Sequence, residues 1–198
     1  MHKGGLVRIS PKIITIIFLF LAPSTSCAEK CKYSIPLRVD DSFTKWEISA
    51  LRGAAARWQE ASDGKICFKI SVVNTNEENS LKDTKKDGLL TVYNGKFKKQ
   101  MVKETGCGAY SACVVFGYGN SFSSDIFMIK DEYFVTVAIH EMGHLLGIVG
   151  HSDDPNDIMF RIASDSQAIT DRDKAVINCI IEQKKVLNWA NSCSYEGL

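Results

Sequence analysis

Nowhere do the 198 residues contain the run of roughly 20 apolar residues that a membrane-crossing helix needs. Neither sign of charge is in excess. Against 24 Lys+Arg stand 23 Asp+Glu, a formal net charge of +1, so composition offers no case for nucleic acid or an anionic membrane as partner. No stretch repeats and no linker interrupts the chain, which predicts one domain rather than an array. Histidine is scarce: there are four, and three of them fall between residues 140 and 151. What is present in ordinary amounts is equally informative. A hydrophobic content of 45% and a charged content of 24% suit a globular chain with a core, and exclude disorder.

The first 28 residues differ from the rest. Lys3, Arg8 and Lys12 precede Ile13 to Ala22, which is apolar apart from Thr15; Pro23 and small residues follow. This is the layout of a secretory signal peptide, with Ser26 and Ala28 preceding a cut ahead of Glu29. A second reading makes Cys27 a lipid-modified first residue, although the usual leucine three positions earlier is absent. The expected organisation is therefore a signal peptide at 1–28 and one domain at 29–198, in an extracellular or periplasmic protein. Removing 1–28 leaves 21 basic against 23 acidic residues, and six cysteines: Cys31, Cys67, Cys107, Cys113, Cys179 and Cys193. An even count in an exported chain suggests three disulfides, against the alternative of buried free thiols. Fifteen pairings exist and sequence does not choose among them. Short separation makes Cys107–Cys113 and Cys179–Cys193 the natural pairs, leaving Cys31–Cys67.

Periodicity outlines the elements. Ser34 to Val39 reads as a strand. Phe43 to Glu60 reads as an amphipathic helix with Trp46, Ala50, Ala54 and Trp58 on one face. After the Asp63-Gly64 turn, Ile66 to Val73 alternates like a strand buried on one side. Asn74 to Asp87 is an unpatterned polar loop whose Lys82, Lys85 and Lys86 face water. Strands are expected at Leu89 to Tyr93, Ala109 to Phe116 and Asp125 to Ile129, with a short helix at Lys96 to Glu104. A helix from Glu132 to Leu146 has Asp131 as a candidate N-cap. A last helix runs from Asp171 to Asn188, with Thr170 as its cap and Val176, Cys179, Ile180, Gln183 and Leu187 on one side.

The chemistry is concentrated in His140-Glu141-Met142-Gly143-His144-Leu145-Leu146-Gly147-Ile148-Val149-Gly150-His151. His140 and His144 lie one helical turn apart, so both imidazoles leave the same face. Gly147 allows a positive φ and a sharp turn, which can return His151 to the same ion. Three nitrogens leave a tetrahedral zinc with an open position, the layout of a catalytic site. Glu141, next to the first ligand, can act as general base toward a zinc-activated water. A chance match to this pattern in a chain this long is on the order of one in 10⁵ from average residue usage.

With these residues in view, the sequence resembles the metzincin metallopeptidases, whose signature HExxHxxGxxH precedes a methionine turn. Within them it is most similar to the matrixins, through Ser152 directly after His151, through Asp154-Pro155-Asn156-Asp157-Ile158-Met159, and through Ile169-Thr170-Asp171-Arg172-Asp173. The resemblance implies an α/β (α+β) zincin-like fold: a twisted mixed sheet backed by two helices, and a small irregular C-terminal subdomain ending in a helix. It implies Met159 as an apolar floor beneath the zinc and Ala109 to Phe116 as the edge strand above the cleft. Phe160, Arg161 and Ile162 would wall a substrate pocket, with Arg161 a contributor to specificity or simply solvent-exposed. The implied activity is a secreted zinc metalloendopeptidase acting on proteins or peptides as a monomer, with metal ligands His140, His144 and His151 and catalytic Glu141.

Three departures from the matrixin pattern are visible. No propeptide is visible between the signal-like segment and the catalytic pattern; Cys31 or Cys107 could serve as a thiolate lock, but disulfide pairing is the expected fate of both. No spare histidine remains for a structural zinc, so one zinc is expected, and no compact acidic loop decides the question of calcium. No tyrosine stands two residues after Met159, so a fifth ligand is not expected. The rival readings are a catalytically inactive zinc-binding interaction module and a lipid-anchored envelope protein.

Overall fold

A computed structural model describes residues 31–74, 90–97, 99–107, 110–116, 124–128, 133–188 and 193–195. The signal-like segment, most of the polar loop with its three lysines, and Asp131 lie outside these residues. Five strands form one sheet in the order β2-β1-β3-β5-β4: β1 Tyr33–Asp40, β2 Ile66–Val73, β3 Leu90–Asn94, β4 Ala112–Phe116 and β5 Ser124–Met128. β2, β1, β3 and β5 run parallel, and β4 pairs antiparallel with β5 at the edge. Parallel neighbours cannot be joined by a tight hairpin, so a helix crosses over between β1 and β2. This is the mixed sheet expected, with each strand within three residues of its predicted bounds.

The helices are α1 Lys45–Ala61, α2 Lys99–Thr105, α3 Phe134–Leu146 and α4 Asp171–Glu182. α1 starts at a reciprocal cap, in which Glu47 N–H donates to Thr44 Oγ1 at 3.2 Å and Thr44 N–H to Glu47 Oε2 at 2.7 Å. Its inner face is Glu47, Leu51, Ala54, Ala55, Trp58 and Ala61. The expected face was half right: Ala54 and Trp58 are buried, whereas Trp46 is 60% exposed, resting on the Phe134 ring. A strict four-residue step drifts by about 40° each time around a 3.6-residue helix. The face toward the sheet is tracked instead by mixed steps of three and four.

α3 is the buried spine. Ten of its 13 residues are buried, and it packs on α1 below the sheet. Trp58 is fully buried and its indole N–H donates to the Ile139 carbonyl at 2.8 Å. The expected start at Glu132 with an Asp131 cap gives way to an N-cap at Tyr133, in the left-handed region at φ 58° with no side-chain cap. The reason is packing: Phe134 is buried against Phe43 and Trp46, and the chain turns into the helix just ahead of it.

α4 begins as expected at Thr170, through a reciprocal cap with Asp173. It ends six residues earlier than Asn188. Lys184 adopts φ 56°, and Lys185 N–H and Lys184 N–H close onto the Ile180 and Ile181 carbonyls at 3.0 and 3.1 Å. That is a helix stop with lysine where glycine is usual. Leu187, assigned to the helix by spacing, instead donates its N–H to the Leu146 carbonyl at 3.3 Å. The disulfides are the expected ones: Cys107–Cys113 and Cys179–Cys193, paired by short separation, and the remaining pair Cys31–Cys67. With Cys31 and Cys107 so bonded, neither offers a thiolate to a metal.

Gly143 marks a close approach in the core. A Cβ placed there would overlap Met159 Sδ and sit 2.9 Å from the Trp58 ring. Both neighbours are fully buried, so neither can step aside freely. Alanine ordinarily gains about 1 kcal/mol over glycine in a helix, but overpacking of a filled core costs about 1–3 kcal/mol. The net cost of about 0–2 kcal/mol is expected to lower the Tm of Gly143→Ala by up to about 8 °C in a thermal melt; a higher Tm would show that the core has room at this position.

Candidate metal centre

α3 carries two of the three histidines and then stops. Gly147, at φ 107°, ends the helix: its N–H meets the His144 carbonyl at 3.0 Å, and Ile148 N–H meets the Gly143 carbonyl at 3.1 Å. A second left-handed glycine, Gly150 at φ 83°, then reverses the chain so that His151 returns beside the helix. The three rings form a cluster with centroids 4.8, 5.2 and 5.1 Å apart. One ligating nitrogen from each lies within 4.8 Å of the other two.

The hydrogen bonds fix the tautomers. His140 Nδ1 lies 2.8 Å from the Ile158 carbonyl oxygen, and His144 Nδ1 lies 2.8 Å from that of Ile148. A carbonyl oxygen only accepts, so each Nδ1 carries the proton and each Nε2 carries a lone pair. Those two Nε2 atoms face each other at 3.1 Å. Two lone pairs so placed repel unless a cation lies between them. Ligands on a tetrahedral zinc at about 2.0–2.1 Å stand roughly 3.3–3.4 Å apart, close to the spacing seen. The donor set and its orientation therefore fit one zinc ion. The backbone acceptors are the outer partners that metal-binding imidazoles usually have.

Electrostatics agree. Burial, reinforced by His144, pushes the His140 imidazole down to about 3 in the metal-free protein. Burial likewise takes His144 down to about 4, against the opposing pull of its bond to Ile148. His151 is more exposed and is also lowered, first by desolvation and then by the Arg161 charge. All three rings are thus neutral donors at physiological pH. Glu141 is 6% exposed on α3, beside His140 in sequence, and burial alone pushes its carboxyl up to about 8.

Beneath the histidines lies the segment from Ser152 to Phe160. Ser152 N–H donates to the Met159 carbonyl at 2.9 Å, and Met159 is fully buried against α3 at Gly143. Two buried acids hold the segment. Asp157 accepts from the Ser152 hydroxyl, from Thr170 Oγ1 at 2.6 Å, and from Arg172 at 3.2 Å. Asp173 accepts from Ile158 N–H at 3.3 Å, Thr170 N–H at 2.8 Å and the Tyr195 hydroxyl. Both acids lie in the matrixin-like stretches of the sequence, which do not by themselves announce a role for either. The one signal available was the Thr170-x-x-Asp173 capping pattern. Of the expected pocket residues, Phe160 is half-buried, whereas Arg161 and Ile162 are exposed.

Residues 30–181 match the matrixin family of peptidases. No curated protein matches the chain. The family match covers most of the sequence, and the convergent imidazoles supply the metal site that the family's chemistry needs. The chain belongs to the matrixin family and is a zinc metalloendopeptidase.

Proposed function

We propose that His140 and His144, through Nε2, and His151 hold the catalytic zinc, and that Glu141 is the general base in hydrolysis of an internal peptide bond. The observation that carries this reading is the facing pair of Nε2 lone pairs 3.1 Å apart, each ring locked by a carbonyl behind it. A zinc ion supplies Lewis-acid polarisation of a carbonyl, brings the pKa of a bound water near ~7, and draws a neighbouring carboxyl down from its metal-free value. The Glu141 carboxylate takes a proton from the attacking water as the new C–O bond forms. It returns that proton to the amine nitrogen as the C–N bond breaks. β4, antiparallel at the sheet edge, supports the reading that a substrate backbone lies alongside it by strand addition.

We read the chain as exported, processed ahead of Glu29 and working as a monomer. Among the described residues no helix is long and apolar enough to cross a membrane. Mass spectrometry of the mature N-terminus tests the processing: the expected product starts at Glu29, and an acylated Cys27 would replace free secretion with a lipid anchor while leaving the peptidase chemistry in place.

Glu141→Gln is expected to keep one zinc per chain and to lower kcat by about 10²–10⁴-fold. Zinc content and cleavage of a peptide library, measured together, check this. A variant that still binds zinc and cleaves as wild type would end the general-base assignment. The metal-free protein has its own signature. His140 and His144 take up protons in the unfolded chain near 6.5 but resist them when folded, so their contribution is lost as pH falls from about 6.5 toward 3. Glu141 holds its proton in the fold up to about 8 but releases it near 4.5 when unfolded, so its contribution is lost as pH rises toward 8. Between 4.5 and 6.5 the two histidines outweigh the one acid. Chelator-stripped protein is therefore expected to melt highest near pH 6.5, in a Tm series across pH 4–9, and a curve still rising at pH 8 would contradict the buried, protonated Glu141.

A further inference from the structure

We propose that Tyr195 is a positioning residue for the metal centre, holding Asp173 so that residue Ile158, bonded to it through its N–H, keeps its carbonyl where it turns His140 toward the zinc. The inference rests on the assignment of His140 as a zinc ligand.

Three consecutive hydrogen bonds make the connection. The Tyr195 hydroxyl donates to Asp173 Oδ1. Asp173 Oδ2 accepts the Ile158 N–H at 3.3 Å. The carbonyl oxygen of Ile158 accepts the His140 Nδ1–H at 2.8 Å. The Ile158 residue thus touches the acid with its N–H and the metal-facing ring with its carbonyl. Moving Asp173 moves the acceptor that sets the His140 ring. Outer partners of this kind typically change metal affinity by about 10–100-fold when removed.

Tyr195 is well suited to the task. It is 9% exposed, and burial together with the nearby Asp173 charge raises its hydroxyl further above the ordinary tyrosine value, so it remains a donor at any working pH. Asp173 is fully buried. Its carboxylate needs donors on both oxygens, and Oδ1 receives the phenol while Oδ2 receives the amides of Ile158 and Thr170. Arg172 packs over the Tyr195 ring at 5.6 Å while bonding Asp157, the second acid beneath the site. The phenol reaches this place because the Cys179–Cys193 disulfide fastens the chain to α4 two residues earlier. Tyr195 lies beyond the family match, which ends at 181.

The test is zinc affinity in the full mature chain, measured by competition with a chromophoric chelator, for wild type and Tyr195→Phe. The zinc-free Tm of each is recorded alongside. The expected result is a folded variant whose zinc Kd rises tenfold or more, with an altered visible spectrum when cobalt replaces zinc. A folded variant with a zinc Kd changed by less than tenfold overturns the proposal, even if its Tm falls, because a purely structural tyrosine would lower Tm alone. Should Tyr195→Phe not fold without zinc, the reciprocal effect in wild type decides. Binding that is coupled in one direction is coupled in the other, so zinc must slow amide hydrogen exchange at residues 193–195; unchanged exchange there overturns the proposal. Wild type that binds no zinc would instead defeat the His140 assignment, an outcome distinct from a Tyr195 variant that binds as wild type does.

Discussion

A neutral imidazole presents its Nε2 lone pair to a cation only in the tautomer that carries the proton on Nδ1, and the metal centre depends on the acceptors that hold that tautomer and orient the ring. The acceptors are the carbonyls of Ile158 and Ile148. Neither belongs to the helix that carries the histidines. Both lie in the chain that follows, after it has turned at Gly147. A straight continuation of α3 would leave both rings without acceptors and with undefined tautomers. The histidine spacing therefore works only in company with the turn and with the segment folded beneath it.

That dependence explains the arrangement of the remaining core. The segment must come close under α3, so position 143 has no side chain and Met159 fills the space against Trp58. Trp58 in turn ties α1 to α3 at Ile139, one residue before the first ligand. The sheet gives α1 and α3 a common floor through Ile35, Leu37 and Val39, which alternate inward along β1. Stiffness in the core is thus passed to the ring of His140 from two sides, from Trp58 behind the helix and from Ile158 below it.

How much of this could be read from sequence follows the range of each interaction. Strand and helix positions, the Thr44 to Asp63 region apart from its exact face, the Gly147 turn and the clustering of the three histidines rest on local spacing, and local spacing records them. Two disulfide pairs followed from short separation once export was supposed, and the third from the cysteines left over. The failures were each imposed from a distance. Trp46 sits outside because the buried face of α1 starts at Glu47 and is set by what the helix packs against, not by a four-residue step. Tyr133 starts α3 without a capping side chain because Phe134 packs against Phe43, far off in sequence. Lys184 ends α4 with no glycine to announce it. The role of Tyr195 was invisible, since nothing near it in sequence points to Asp173.

The buried acids carry the same lesson further. Between Ser152 and Ala168 the chain has no helix and only two isolated bridges, Ser152 with Phe160 and Asp157 with Ala168. Backbone groups buried in such a stretch cannot be paired by regular structure, and each orphan costs about 1–3 kcal/mol. Apolar residues at 157 and 173 would pack as well but would leave the Ile158 amide and the Thr170 hydroxyl without acceptors. A carboxylate has several acceptor sites on two oxygens and can serve several donors at once. Its burial becomes tolerable only when those sites are filled, as they are here by hydroxyls, amides and Arg172. One helix face offers two ligands a turn apart. A third at tetrahedral angle must come from chain that has left the helix and come back, and chain that returns without regular structure needs buried acceptors to hold it. Asp157 and Asp173 are in this sense consequences of the third histidine's return to the helix, although neither carboxylate is among the three groups that converge there.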